Sequence, residues 1–174
     1  MAHGAWADTS SWSGEVDALR KAGLTARAIA NPLRGLDGDA ATVADFLKTV
    51  SGPVVLVGHS YGGPVITNAA ASAPNVKALV CVDAAMPGVG ETTAQLSGSG
   101  SALEASPEQL YDTATSPDAP QGAQDLCLKR DVFVRSFASG LPPRTPRSGS
   151  GSPSVPRPPT PSGRRRSRHP VKGG

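Results

Sequence analysis

Apolar residues change their period several times over the first eighty positions, and each change predicts an element. Trp12, Val16 and Leu19 recur at i, i+4 and i+7, the spacing that lays one apolar stripe along a helix. With Gly23 placed as a C-terminal stop, the pattern predicts a helix from about Ser11 to Ala22. Leu24 to Ala30 reads as a short strand broken by Asn31-Pro32. Asp37-Gly38-Asp39 then offers an N-cap to a helix carrying Val43, Phe46, Leu47 and Val50 on one face, ended by Gly52-Pro53. Val54-Val55-Leu56-Val57 is a continuous apolar run, as in a parallel strand buried on both faces. A helix-like stretch from Pro64 to Ala73 follows, with Pro64 tolerated in its first turn and Pro74-Asn75 closing it. Lys77 to Val82 is the next strand. Strands and helices alternating through short links predict an α/β fold, a doubly wound parallel sheet with its ligand site beyond the strands' carboxyl ends.

From Pro87 the pattern loosens. Gly88 to Ser101 reads as a small-residue loop, with helices expected near Pro107 to Ala114 and Leu126 to Ala138. From Leu141 to Gly174 there are nine Pro, six Ser, five Gly and eight Lys or Arg, with no aromatic and no acidic residue. Such a segment has too little apolar surface to offset its ordering entropy and is expected to be disordered. The organisation expected is therefore a core over residues 1–140, with 87–140 as a looser region, and a basic tail over 141–174.

That division changes the meaning of the charge. The chain of 174 residues carries a formal +3, but residues 1–140 hold nine Lys or Arg against fourteen Asp or Glu, 9 − 14 = −5. The core is mildly acidic, and the excess positive charge lies in the tail. The run Arg164-Arg165-Arg166-Ser167-Arg168 could attract nucleic acid non-specifically by counterion release, although charge runs are usually only solvated. No specific nucleic-acid partner is expected. Cys81, in an expected buried strand, and Cys127, in an expected helix, suggest neither a disulfide framework nor a metal site. No metal or cofactor is implied. No apolar stretch approaches the roughly 18 residues of a membrane span, and no basic-then-apolar leader opens the chain. A reduced, cytoplasmic setting away from membranes fits. Oligomeric state is not legible.

Chemistry concentrates at Gly58-His59-Ser60-Tyr61-Gly62, behind the apolar strand and ahead of a helix. That is the strand, turn and helix context of a nucleophile elbow, where only small flanking residues leave room for the sharp bend. In a chain rich in Gly and Ser the context carries more weight than the pentapeptide. His3-Gly4-Ala5-Trp6 precedes it by the length of a helix, a strand and a helix. In this order the two motifs resemble the α/β-hydrolases, particularly small bacterial esterases, with similarity to plant methylesterases and hydroxynitrile lyases. The resemblance covers about His3 to Leu141. It implies that Ser60 is a nucleophile toward a small ester or related acyl substrate. It further implies that the backbone N–H groups of Ala5 and Tyr61 form an oxyanion hole, and that residues 87–140 act as a cap over the site.

The remaining parts of that chemistry are harder to find. His59 reads as a packing and turn residue whose side chain aims away from the serine hydroxyl. The only later histidine is His169, inside the tail, where nothing would hold an imidazole at the required distance of about 3 Å. Asp83 is a candidate acid, or equally a cap for the loop it begins. A strand leading into His3-Gly4 would need about five residues, whereas Met1-Ala2 alone precede it. The two flanking strands are therefore expected to expose inner edges, which invites aggregation. Arg, Pro, Ser and Gly are what GC-rich codons yield out of frame, so the sequence reads as the middle of a hydrolase, begun late and continued past Leu141 in a shifted frame. An impaired serine hydrolase is the leading expectation. A non-catalytic binding protein that keeps the pocket, and a basic-tailed interaction protein, are the alternatives.

Overall fold

The first helical stripe folds in two pieces. In a computed structural model, which describes residues 1–87, 96, 100–115 and 124–140, Asp8 caps a 3-10 turn over Thr9–Trp12 by accepting from the Ser10 N–H at 2.7 Å. Helix α1 follows over Ser13–Lys21. Trp12 and Val16 are buried and Leu19 is half-buried, so the stripe faces inward as its spacing predicts.

Helix α2 spans Leu36–Lys48, with Val43, Ala44 and Leu47 buried. Its N-cap is Gly35, which corrects the expectation of a cap within Asp37 to Asp39. Asp39 lies inside the first turns and is fully buried. Its carboxylate turns back to accept from the backbone N–H of Arg34 at 3.1 Å and Gly35 at 3.4 Å. N–H groups at a helix start lack intrahelical partners, and a carboxylate there meets the positive end of the helix dipole. Asp39 therefore does a cap's work from within the helix.

Strand β1 (Val54–His59), helix α3 (Gly62–Ala70) and strand β2 (Val76–Val82) follow, and β1 pairs in parallel with β2, His59 lying beside Val82. On the other side of β1, Ala2 bridges both Gly58 and Ile29 in parallel. The Ala2 N–H donates to the Val57 carbonyl at 2.8 Å, the His59 N–H to Ala2 at 3.2 Å, and the Ile29 N–H to Met1 at 2.9 Å. Two residues thus occupy the inner edges that were expected to stand open. The strand expected over Leu24 to Ala30 is reduced to the bridge at Ile29.

Strand side chains alternate between faces. Leu56 joins Val43, Leu47, Val65, Ile66 and Ala69 in the larger core, while Val57 packs the opposite face against Trp12, Val16 and Ala26. Helices accordingly cover both faces where β1 approaches its carboxyl end. The cover does not extend further: Val55 is 57% exposed, and every residue from Lys77 to Val82 is exposed. The expectation of strands buried on both faces fails for β2, because the described elements leave both its faces open. Cys81, expected inside, is exposed for the same reason.

Past residue 87 the expected helices are shorter. A single turn at Pro107–Leu110 passes into β3 (Tyr111–Ala114), which pairs antiparallel with β4 (Asp125–Leu128). Helical turns at Arg130–Val132 and Phe133–Phe137 close the region. Tyr111 and Thr113 favour a pleated strand, and the pair between Lys129 and Asp112 at 3.4 Å joins the two arms of the hairpin. Cys127 is consequently exposed on β4, not helical. Met1–Ser139 form one compact unit. Most of the loop expected over Gly88 to Ser101, the tail from Leu141 and His169 lie outside the described residues. No helix among the described residues is long and apolar enough to cross a membrane.

Candidate active site

The carboxyl end of β1 meets the start of α3 at Ser60, whose φ is 51°. A non-glycine residue in this left-handed region costs roughly 1–2 kcal/mol, so the surrounding contacts must hold it there. They do so from two sides: the Ser60 N–H donates to the Val82 carbonyl of β2 at 3.1 Å, and the Ser60 carbonyl accepts from the Gly63 N–H at 2.9 Å. The bend also brings strand and helix backbones together. A Cβ on Gly58 would overlap the Gly62 carbonyl, which is why that position takes no side chain. Ser60 is half-buried, and its hydroxyl has no hydrogen-bond partner among the described residues.

The His3-Gly4-Ala5-Trp6 turn lies directly against this bend. A Cβ on Gly4 would stand 2.8 Å from the Ser60 Cβ and 3.0 Å from the His59 carbonyl, so only glycine permits the approach. His3 is buried, its Nε2 accepting from the Asn31 N–H at 3.0 Å and its Nδ1 lying 2.9 Å from the Gly4 carbonyl. Those partners assign the proton to Nδ1. Both ring nitrogens are engaged, and the Asn31 side-chain amide donates back to the His3 carbonyl at 3.2 Å. Trp6, itself at φ 57°, stacks on Tyr111 with ring centroids 5.4 Å apart.

Tyr61 follows the serine and reaches across to α2, its hydroxyl donating to Asp39 Oδ2 at 2.8 Å. Burial, reinforced by that carboxylate, raises its pKa far above the ordinary phenol range and keeps the hydroxyl a donor. The backbone N–H groups of Ala5 and Tyr61 have no acceptor among the described residues. Beside Ala5 lies an open groove of about 420 Å³, walled by Trp6, Leu33 and Arg34 on one side and by Asp125 and Leu126 of the hairpin on the other. Arg34 and Asp125 pair across it.

Matching these features with known proteins places the chain. A sequence model described as the alpha/beta hydrolase family matches residues 1–166. The chain belongs to this family. The match runs beyond Leu141, where the motif resemblance ends. The chain is 37% identical over 105 residues to a carbendazim hydrolyzing esterase of Nocardioides sp. strain SG-4G, covering 53% of this chain and 43% of that protein. It therefore spans less than half the length of this relative. An extracellular alpha/beta-hydrolase from a Paenibacillus species, described as sharing structural and functional homology with tobacco salicylic acid binding protein 2, superposes with a TM-score of 0.46 at 29% identity. That superposition covers 49% of this chain and 40% of its counterpart.

The other candidate residues of this alpha/beta hydrolase family chain make no hydrogen bond to the serine hydroxyl. The His59 ring packs edge-on between Trp12, 6.5 Å away, and Phe137, 6.4 Å away, beside a second cavity of about 230 Å³. Asp83 follows Val82 with φ 42°, exposed and without a hydrogen bond or ion pair among the described residues. Asp39 and Asn31 are residues that the motif reading passed over. A carboxylate early in a helix, just after Arg34-Gly35, was visible in the sequence as a cap. Its link to Tyr61 was not.

Proposed function

We propose that this hydrolase chain is the nucleophile-bearing part of a serine esterase acting on a small ester or related acyl substrate. In this reading Ser60 Oγ bonds to the carbonyl carbon, the carbonyl π pair moves onto oxygen, and the serine proton passes to solvent. The oxyanion rests on the N–H groups of Ala5 and Tyr61. Collapse expels the alcohol with a proton, and water then releases the acid. The observation that carries the reading is a serine held at positive φ between β1 and α3, its hydroxyl unengaged and Gly4 pressed against its Cβ.

In this reading neither described imidazole serves as base, and two observations support that: His3 has both nitrogens engaged, and the His59 ring packs against Trp12 and Phe137. Asp83 is the candidate acid, without a histidine to orient. Turnover is therefore expected to retain only what an oxyanion hole and binding supply, on the order of 10³ to 10⁴ over water. The two exposed free cysteines support a reducing, cytoplasmic setting, and the partner proposed is the ester-like small molecule alone.

A fluorophosphonate tests the nucleophile directly. The Oγ–P bond forms as P–F breaks, releasing fluoride and a proton, and mass spectrometry should place the adduct on Ser60 and find none in Ser60→Ala. Folded protein that stays unlabelled after prolonged exposure would remove the nucleophile. The engaged His3 ring favours a second reading, a hydrolase fold that binds without turning over. It predicts that a small ester raises the melting temperature and is recovered intact.

A further inference from the structure

The segment from Asn31 to Asp39 touches both sides of the bend at Ser60. At one end, Asn31 donates its backbone N–H to His3 Nε2 and its side-chain amide to the His3 carbonyl, at 3.0 and 3.2 Å. At the other end, Asp39 accepts from the Tyr61 hydroxyl at 2.8 Å while holding the Arg34 and Gly35 N–H groups. Asn31 and Asp39 are 5% and 0% exposed. Between them Leu33 sits at φ 58°, a conformation a leucine keeps only when its surroundings impose it. These residues tie the turn bearing Ala5 to the turn bearing Tyr61 through a route independent of the β-sheet.

We infer that Asn31 to Asp39 is a brace that sets the spacing of the two N–H donors beside Ser60, with Asp39 and the Tyr61 phenol as its positioning residues. The inference rests on the oxyanion hole proposed above, and deepens it by naming what aligns it. A buried carboxylate is suited to the task. Its two oxygens accept simultaneously from a side chain on one element and backbone N–H groups on another, and charge-assisted bonds of this kind are shorter and stronger than neutral ones. The outer surface of the same segment, Pro32 to Arg34, walls the groove beside Ala5. A substrate seated there would press on the element that aligns the donors.

Tyr61→Phe removes the phenol hydroxyl and keeps the ring. In fluorophosphonate labelling of Ser60 it should lower the saturating rate about tenfold or more, as loss of aim at a developing oxyanion does. The probe concentration at half-saturation should stay within about twofold, because no groove residue changes. Asp39→Ala should behave at least as badly, whereas Asp39→Asn, which keeps an acceptor for Arg34 and a partner for the phenol, should recover most of the rate. A folded Tyr61→Phe protein labelled at the parent's saturating rate overturns the brace.

A second readout does not need the reaction. In ¹H–¹⁵N spectra, Asn31→Ala should shift the Tyr61 amide signal, and Tyr61→Phe should shift those of His3 and Ala5, although no hydrogen bond joins Tyr61 to any of the three. If each substitution moves only its immediate neighbours, the brace is wrong. If the parent protein is never labelled, the nucleophile reading falls while these spectra still decide the brace.

Discussion

Two strands of one sheet, paired in register from Val55 beside Ala78 to His59 beside Val82, have opposite surroundings. At β1, Leu56 is packed under α2 and α3 and Val57 against Trp12 and Val16, and Ala2 closes the far edge. At β2 the equally apolar run of Ala78 to Val82 lies open, with Leu79, Val80 and Val82 between 39 and 44% exposed. The two segments are nearly indistinguishable as patterns of residues. Hydrophobicity states what a strand would gain from being covered. Whether anything covers it depends on which elements the chain brings there.

Core truncation gives the largest expected contrast. Ile66→Ala removes a fully buried side chain from α3 and should cost about 2–5 kcal/mol in urea unfolding. Leu79→Ala on β2 should stay within about 0.5 kcal/mol. Equal losses at the two sites would mean that β2 is covered in solution. Gly58→Ala forces a Cβ into the Gly62 carbonyl and should destabilise by about 1–3 kcal/mol, as overpacking does, while a melting temperature equal to the parent's would contradict the close approach at the bend.

Thiol chemistry sharpens the comparison without altering the fold. Cys81 on β2 and Cys127 on β4 are both exposed, so an aromatic disulfide reagent should titrate two thiols in native protein. A thiol that reacts only after denaturation would place its strand in a covered environment. A pH-dependent effect is expected at Asp8, where the hydrogen bond from Ser10 lowers the carboxyl's pKa below its ordinary 3.8. A depressed carboxyl contributes stability above its unfolded value that is lost as pH falls through the folded one. The difference between parent and Asp8→Ala should therefore be present at neutral pH, about 0.5–2 kcal/mol for a lost N-cap, and shrink below pH 3.8. A difference unchanged in acid would assign it to something other than the carboxylate.

Much of the bend was legible in one dimension because its determinants are local. A strand that ends in Gly58, a serine and a helix with Pro64 in its first turn leave the backbone few alternatives, and Trp12, Val16 and Leu19 turn inward as their spacing requires. The hairpin was not legible. Tyr111 to Ala114 and Leu126 to Leu128 carry apolar spacings compatible with either a helix or a strand, and only pairing across an intervening stretch decides between them. Asp39 illustrates the same limit at the site. Its place near a helix start was readable, but its bond to Tyr61 joins residues 22 positions apart.

Local backbone sterics and residue spacing sufficed to determine that this chain has an α/β core with a serine at a sharp strand-to-helix bend, because both act within a few residues. Which strand face is covered, which histidine nitrogens are engaged, and which buried carboxylate meets the tyrosine beside the serine were decided by tertiary structure alone. Burial and hydrogen-bond partners are properties of what the fold places in contact, and no stretch of sequence contains its own neighbours.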